Sequence, residues 1–165
     1  MITTVHLFTG AVIGKAAAEN IYFSIPIAFL SHYFLDIIPH YSPKPVKSYL
    51  EKGLLWANKK DLILKSVEPL FGLFLVFYFI FVYNENFVWP MALGAFFGWL
   101  PDFLVFLKWK YSIKIHPQFL KNNIAYRHIS FFPGIIIQIF ILAFAIWYIL
   151  YPSDIILLNL NFDFI

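Results

Sequence analysis

Four stretches of this chain, residues 21–38, 61–83, 87–107 and 133–151, run almost without interruption through Phe, Ile, Leu, Val, Ala and Trp. Their lengths lie in the range of about 17–25 residues that a helix needs to cross the hydrocarbon of a bilayer. Backbone amides have no water partner there, so each stretch must satisfy them internally as a helix. Composition agrees. Of 165 residues 61% are hydrophobic, 22% aromatic and only 13% charged, against about 25% charged in a soluble domain. The chain is therefore expected to be all-α: a polytopic membrane bundle of about five helices in one domain over residues 1–165.

The fifth helix is the first in order. Residues 3–18 are apolar but short for a span, and they contain Gly10-x-x-x-Gly14, a spacing that lets helices approach closely in lipid. Only the polar pair Glu19-Asn20 separates this run from the next, which predicts a tight helical hairpin. A second Gly-x-x-x-Gly, Gly94 to Gly98, lies in the run 87–107. Within the polar connection 40–60, Val46, Tyr49, Leu50, Gly53 and Leu54 fall at helical spacing among lysines. That pattern predicts a short amphipathic helix on the membrane surface. The apolar tail 155–165 is expected at the interface.

Of the twelve Lys and Arg residues, all but Lys15 lie in or beside two connections, 40–60 and 108–130. The positive-inside rule makes both cytoplasmic, with the C-terminus outside, as expected of an integral inner-membrane protein. Anionic lipid, rather than nucleic acid, is the expected partner of these charges. There are no cysteines, which excludes disulfides and thiolate metal sites. The N-terminus lacks the basic region of a signal peptide. Composition leaves the oligomeric state open.

Within this apolar background one decapeptide stands out, Ser31-His-Tyr-Phe-Leu-Asp-Ile-Ile-Pro-His40. His32 and Asp36 are four residues apart and share a helix face. Pro39 is expected to end the helix and leave His40 in the turn beyond. On the expected topology His32, Asp36, His40, Glu68, Asp102, His116 and His128 come to the cytoplasmic side, and His6 joins them if the short first helix spans; if it is re-entrant, that end is outside. Imidazole and carboxylate together are ligands for zinc first, with manganese or iron as the other candidates. We therefore expect a divalent-metal site of His6, His32, Asp36, His40 and Asp102. Asp36 or Asp102 is the candidate catalytic carboxylate, and Glu68 is a candidate to hold a ligand histidine.

Thr4-Val5-His6, the Ser31–His40 stretch and Gly98-Trp-Leu-Pro-Asp102 resemble the YdjM-like group of membrane-bound metal-dependent hydrolases. Members of that group carry an early Thr-His pair, a Leu-Pro-Asp motif at a helix end and further histidines. The resemblance implies a multi-helix inner-membrane protein with metal-dependent hydrolase activity on an unassigned small-molecule or lipid substrate. Two family elements are not found. Asp102 is followed by Phe103 and Leu104 instead of completing Pro-Asp-x-Asp-His, and Tyr126-Arg-His-Ile-Ser130 is the nearest approach to His-Arg-Gly-x-Thr-His-Ser. His32, Asp36 and His40 would stand in for the missing ligands. The competing expectation is a non-catalytic membrane scaffold or assembly protein whose histidines are structural.

Overall fold

The computed structural model describes residues 2–40, 59–83, 88–111 and 130–150. The expected surface helix at 46–54, the apolar tail, Arg127, His116 and His128 lie outside them. Among the described residues there are five helices and no strand: α1 (Thr3–Ala16), α2 (Ile21–Ile37), α3 (Lys59–Tyr83), α4 (Val88–Tyr111) and α5 (Phe131–Leu150).

The boundaries follow local chemistry. Ala17 to Asn20 make the predicted turn, and Asn20 caps α2, its side-chain oxygen accepting from Phe23 N–H at 3.3 Å. Pro39 disfavours helical geometry in the residue before it. Ile38 is accordingly extended (φ −64°, ψ 131°) and α2 stops at Ile37. Pro101 does not end its helix; α4 continues through it to Tyr111, so Asp102 sits in the helix interior rather than near its end.

The short α1 is the centre of the molecule. Five consecutive residues, Thr4 to Phe8, are buried, as are Gly10, Ala11, Gly14 and Lys15. A helix buried around its whole circumference needs neighbours on every side, and α1 touches all four other helices. The closest neighbour is α4. A Cβ built on Gly10 would collide with the Gly94 carbonyl, one on Gly14 with the Pro90 carbonyl, and one on Gly98 would lie 2.8 Å from the His6 carbonyl. The two Gly-x-x-x-Gly motifs thus face one another, bringing two backbones into direct contact. The order of these contacts makes α1 and α4 antiparallel. Thr4 against Gly72 and Phe8 against Phe79 run α3 parallel to α1. Ile2 with Gln138 and Lys15 with Ile149 do the same for α5.

Two consequences fix where function can reside. The start of α1, the ends of α2 and α4 and the starts of α3 and α5 meet at one end of the bundle. Both long basic connections therefore join helices at that end. Around an apolar core that includes Leu7, Phe8, Ile80 and Met91, large apolar side chains also cover the outside. Phe34, Phe74, Trp89 and Phe140 are each more than 60% exposed, while His6, Ser24 and Gln138 are 1% exposed or less. Helix α5 has a mean hydropathy of 2.3 and 20 residues, long and apolar enough to cross a membrane. Ile21–Ile37 and Val67–Tyr83 are shorter apolar helical segments.

Candidate metal centre

Four helices bring ionisable side chains to this end. From α1 comes His6, two residues after Thr4. Glu68 of α3 holds that start in place: one of its carboxylate oxygens accepts from Thr4 N–H at 2.8 Å and from the Thr4 hydroxyl at 2.6 Å. A carboxylate at a helix N-terminus meets the unsatisfied amides and the positive end of the dipole. Gln138 of α5 adds a bond from Ile2 N–H at 2.8 Å. Glu68 therefore anchors the helix that carries His6, rather than holding a histidine ring directly.

From α2 come His32 and Asp36 on one face, and His40 follows in the turn after Pro39. From α4 comes Asp102, to which the Thr3 hydroxyl donates at 3.4 Å. His6, His32 and His40 are all buried, the Asp36 side chain is 14% exposed and that of Asp102 is 39% exposed. Hence the pair is graded, with one carboxylate enclosed and one half-open.

Asp36 is the hub. Its Oδ1 lies 3.4 Å from His6 Nε2 and 4.0 Å from His40 Nε2, and its Oδ2 lies 3.6 Å from His32 Nε2. His32 Nε2 is also 3.7 Å from Asp102 Oδ1. These separations exceed the roughly 2.7–3.2 Å of an N–H···O hydrogen bond. They approach the ~3.3 Å that separates two donors on one tetrahedral zinc with bonds near 2.0–2.2 Å.

The opposite edges of two rings decide which nitrogen is available. His32 Nδ1 contacts the Gly98 carbonyl at 3.1 Å, and His40 Nδ1 contacts the Ile38 carbonyl at 2.7 Å. A carbonyl can only accept, so both Nδ1 atoms carry hydrogen and both neutral rings present a bare Nε2 lone pair to Asp36. A lone pair facing a carboxylate is repulsive unless a positive charge lies between them. Metal-ligating histidines are held in the same way, through the far N–H on a carbonyl or carboxylate. His6 differs. Its Nδ1 is buried with no hydrogen-bond partner among the described residues, so no neighbour fixes a hydrogen there, and Nε2 is the edge turned toward Asp36.

His6, His32 and Asp36 can hold a metal ion, their ligand atoms all lying within 4.8 Å of one another. His40 and Asp102 border that group. No known protein family, characterised protein or solved structure matches this chain. The arrangement of these side chains must therefore carry the functional argument. Sequence spacing pairs His32 with Asp36 but does not reveal that Gly98 is a partner of the site. The only signal there is the small-residue motif, which reads as packing; its carbonyl at the crowded α1–α4 seam sets the His32 tautomer as well.

Proposed function

We propose that this protein is a polytopic inner-membrane bundle whose metal centre hydrolyses a phosphoester-type bond of a lipid at the cytoplasmic leaflet. The observation that carries the metal part is the convergence of three imidazole Nε2 atoms on Asp36, two of them with tautomers set by backbone carbonyls. The membrane part draws support from the large apolar side chains on the exterior and from basic connections gathered at one end. Five helices then run through the bilayer with that end cytoplasmic and the C-terminus outside. Lipid facing the four outer helices would let α1 stay short, because its neighbours shield it.

The donor set, nitrogen-rich with added carboxylate, favours zinc over manganese or iron. A divalent ion bound here would lower the pKa of a coordinated water to about 7 and so supply a nucleophile at neutral pH. The residues divide the remaining work. Asp36 and the histidines hold charge in a nearly closed pocket. Asp102, the more exposed carboxylate, is placed to orient a water and accept its proton. A groove of about 280 Å³ with apolar walls, including Ile27, Leu30, Phe34 and Ile38, lies between α1 and α2. It offers room for a lipid chain on the outer face of the pair. Hydrolase chemistry itself draws on the resemblance to the YdjM-like group.

The rival is a scaffold in which these contacts only tie helices together, and the His32–Gly98 and Thr4–Glu68 bonds between helices favour it. Purified protein separates the two. Zinc retained at neutral pH without chelator, and phosphate release from phosphatidic acid in mixed micelles that folded Asp102→Asn abolishes, supports the hydrolase. A metal-free preparation sinks the metal reading. Bound zinc without turnover of any phosphoester lipid leaves the scaffold.

A further inference from the structure

The His6–His32–Asp36 group lies toward one end of the bundle but not at its rim. Glu68 and Gln138, which bond to the first residues of α1, lie nine residues inside α3 and seven residues inside α5. Asp102 lies nine residues before the end of α4 at Tyr111. At about 1.5 Å per residue, all three helices run on past the group by roughly 10–14 Å. His40, beyond the end of α2, is still fully buried.

Residue chemistry marks where the membrane surface falls on these helices. Lys59 and Lys60 open α3, and Lys108 and Lys110 lie in the last turn of α4. Lysines at the ends of membrane helices keep their charge at headgroup level. The 20 residues of α5 extend about 30 Å, the thickness of the hydrocarbon, so Phe131 marks the same boundary. All three helices place the group about 10 Å beneath the cytoplasmic surface. Near that level Phe34 and Ile139 are 68% and 59% exposed, as lipid-facing side chains should be. The Asp102 side chain is 39% exposed. A carboxylate at such depth faces the bundle interior or a water-filled cavity, not hydrocarbon. Because Asp102 is half-open, water must reach it.

We infer that a water-filled vestibule descends about 10 Å from the cytoplasmic surface to Asp102 and the His6–His32–Asp36 group, and that it admits a phosphate group. Charge favours an anion. The stretches of α3 and α4 that overhang the group carry Lys59, Lys60, Lys65, Lys108 and Lys110 against Asp61 alone. A cleft entrance of one sign raises the local concentration of the opposite charge. The inference rests on the membrane part of the reading above and does not require a bound metal. It adds that a phosphate must leave headgroup level to reach the group.

The chain has no cysteine, so single cysteines in the full chain, reconstituted in vesicles, report water access. Membrane-impermeant thiosulfonate reagents are supplied on both sides, and each rate is divided by that with free cysteine. Asp102→Cys should react, and the sulfonate reagent should outpace the trimethylammonium reagent at least 10-fold. Thr3→Cys, replacing the hydroxyl that contacts Asp102, reports the same vestibule if Asp102→Cys fails to fold. Phe34→Cys and Ile139→Cys, although more exposed, should stay unreactive. No reaction at both Asp102→Cys and Thr3→Cys overturns the vestibule. Fast reaction at Phe34→Cys and Ile139→Cys overturns the depth. Fast reaction at Phe144→Cys as well, at an exposed position further along α5, overturns the membrane reading itself. Inorganic phosphate and phosphatidic acid in the vesicles are the two competitors. Slowing by phosphatidic acid alone assigns the vestibule to a lipid headgroup, and slowing by both assigns it to phosphate in general. Slowing by neither, or a faster trimethylammonium reagent, overturns the phosphate assignment.

Discussion

The backbone of Gly10 rests directly against the Gly94 carbonyl, so the two helices carrying His6 and Asp102 are separated by no side chain at all. This contact sets the distance between the two sides of the candidate metal site. A methyl group at position 10 has nowhere to go, because its neighbour is backbone and cannot rotate away. Gly10→Ala should lower stability by about 1–3 kcal/mol or prevent folding outright, read as a drop in detergent melting temperature. Ala16→Leu, at an exposed position of the same helix, should leave the melting temperature nearly unchanged.

Metal should act as a stabilising ligand of the folded chain. An ion present at a hundredfold excess over its dissociation constant contributes about 2.7 kcal/mol. Zinc should therefore raise the wild-type melting temperature, and chelator should reverse the rise. Asp36→Asn loses the donor on which three imidazoles converge, and its melting temperature should not respond to zinc. A zinc response of wild-type size in Asp36→Asn would contradict the assignment of Asp36 as hub.

Glu68 touches none of the three described histidines, yet its removal should reach the metal. Glu68→Ala strands the Thr4 amide and hydroxyl at the start of α1, which should cost about 1–3 kcal/mol in stability. Because His6 follows two residues later, metal affinity should fall by 10- to 100-fold, the range seen when supporting residues of a metal site are lost. Competition with a zinc-binding dye measures the affinity separately from unfolding.

The far end of α1 offers the control. Lys15 is buried and donates to the Ile149 carbonyl at 2.8 Å, closing the C-terminal end of α5. Lys15→Met keeps the apolar stem but removes this charged bond, a loss of about 1.5–3 kcal/mol. Metal content per folded chain should stay at the wild-type value, since the centre lies at the opposite end of the bundle.

Much of the helical framework is legible in residue order. Apolar runs bounded by Asn20, Pro39 and the basic connections mark the helices to within a few residues, because caps and prolines act locally. The end of α4 is less legible: the apolar run stops at Leu107, with Pro101 near its end, yet the helix runs on to Tyr111. A proline removes one hydrogen bond but does not forbid continuation when neighbouring helices support the turn. The pairing of His32 with Asp36 is likewise visible, since a four-residue step on a helix means one face.

The sequence by itself determined an all-helical chain with an apolar exterior, and it placed the ionisable residues of α1, α2 and α4 toward one end. Only the tertiary structure decided that the shortest helix lies at the centre, that its glycines meet those of α4, and that His6 stacks on His32 beside Asp36. The physical reason is that helix periodicity is a local property, whereas the approach of two backbones depends on small residues finding each other across 80 or more positions. Without that approach His6 and His32 are ordinary polar residues on separate helices; with it, their nitrogens face a single carboxylate.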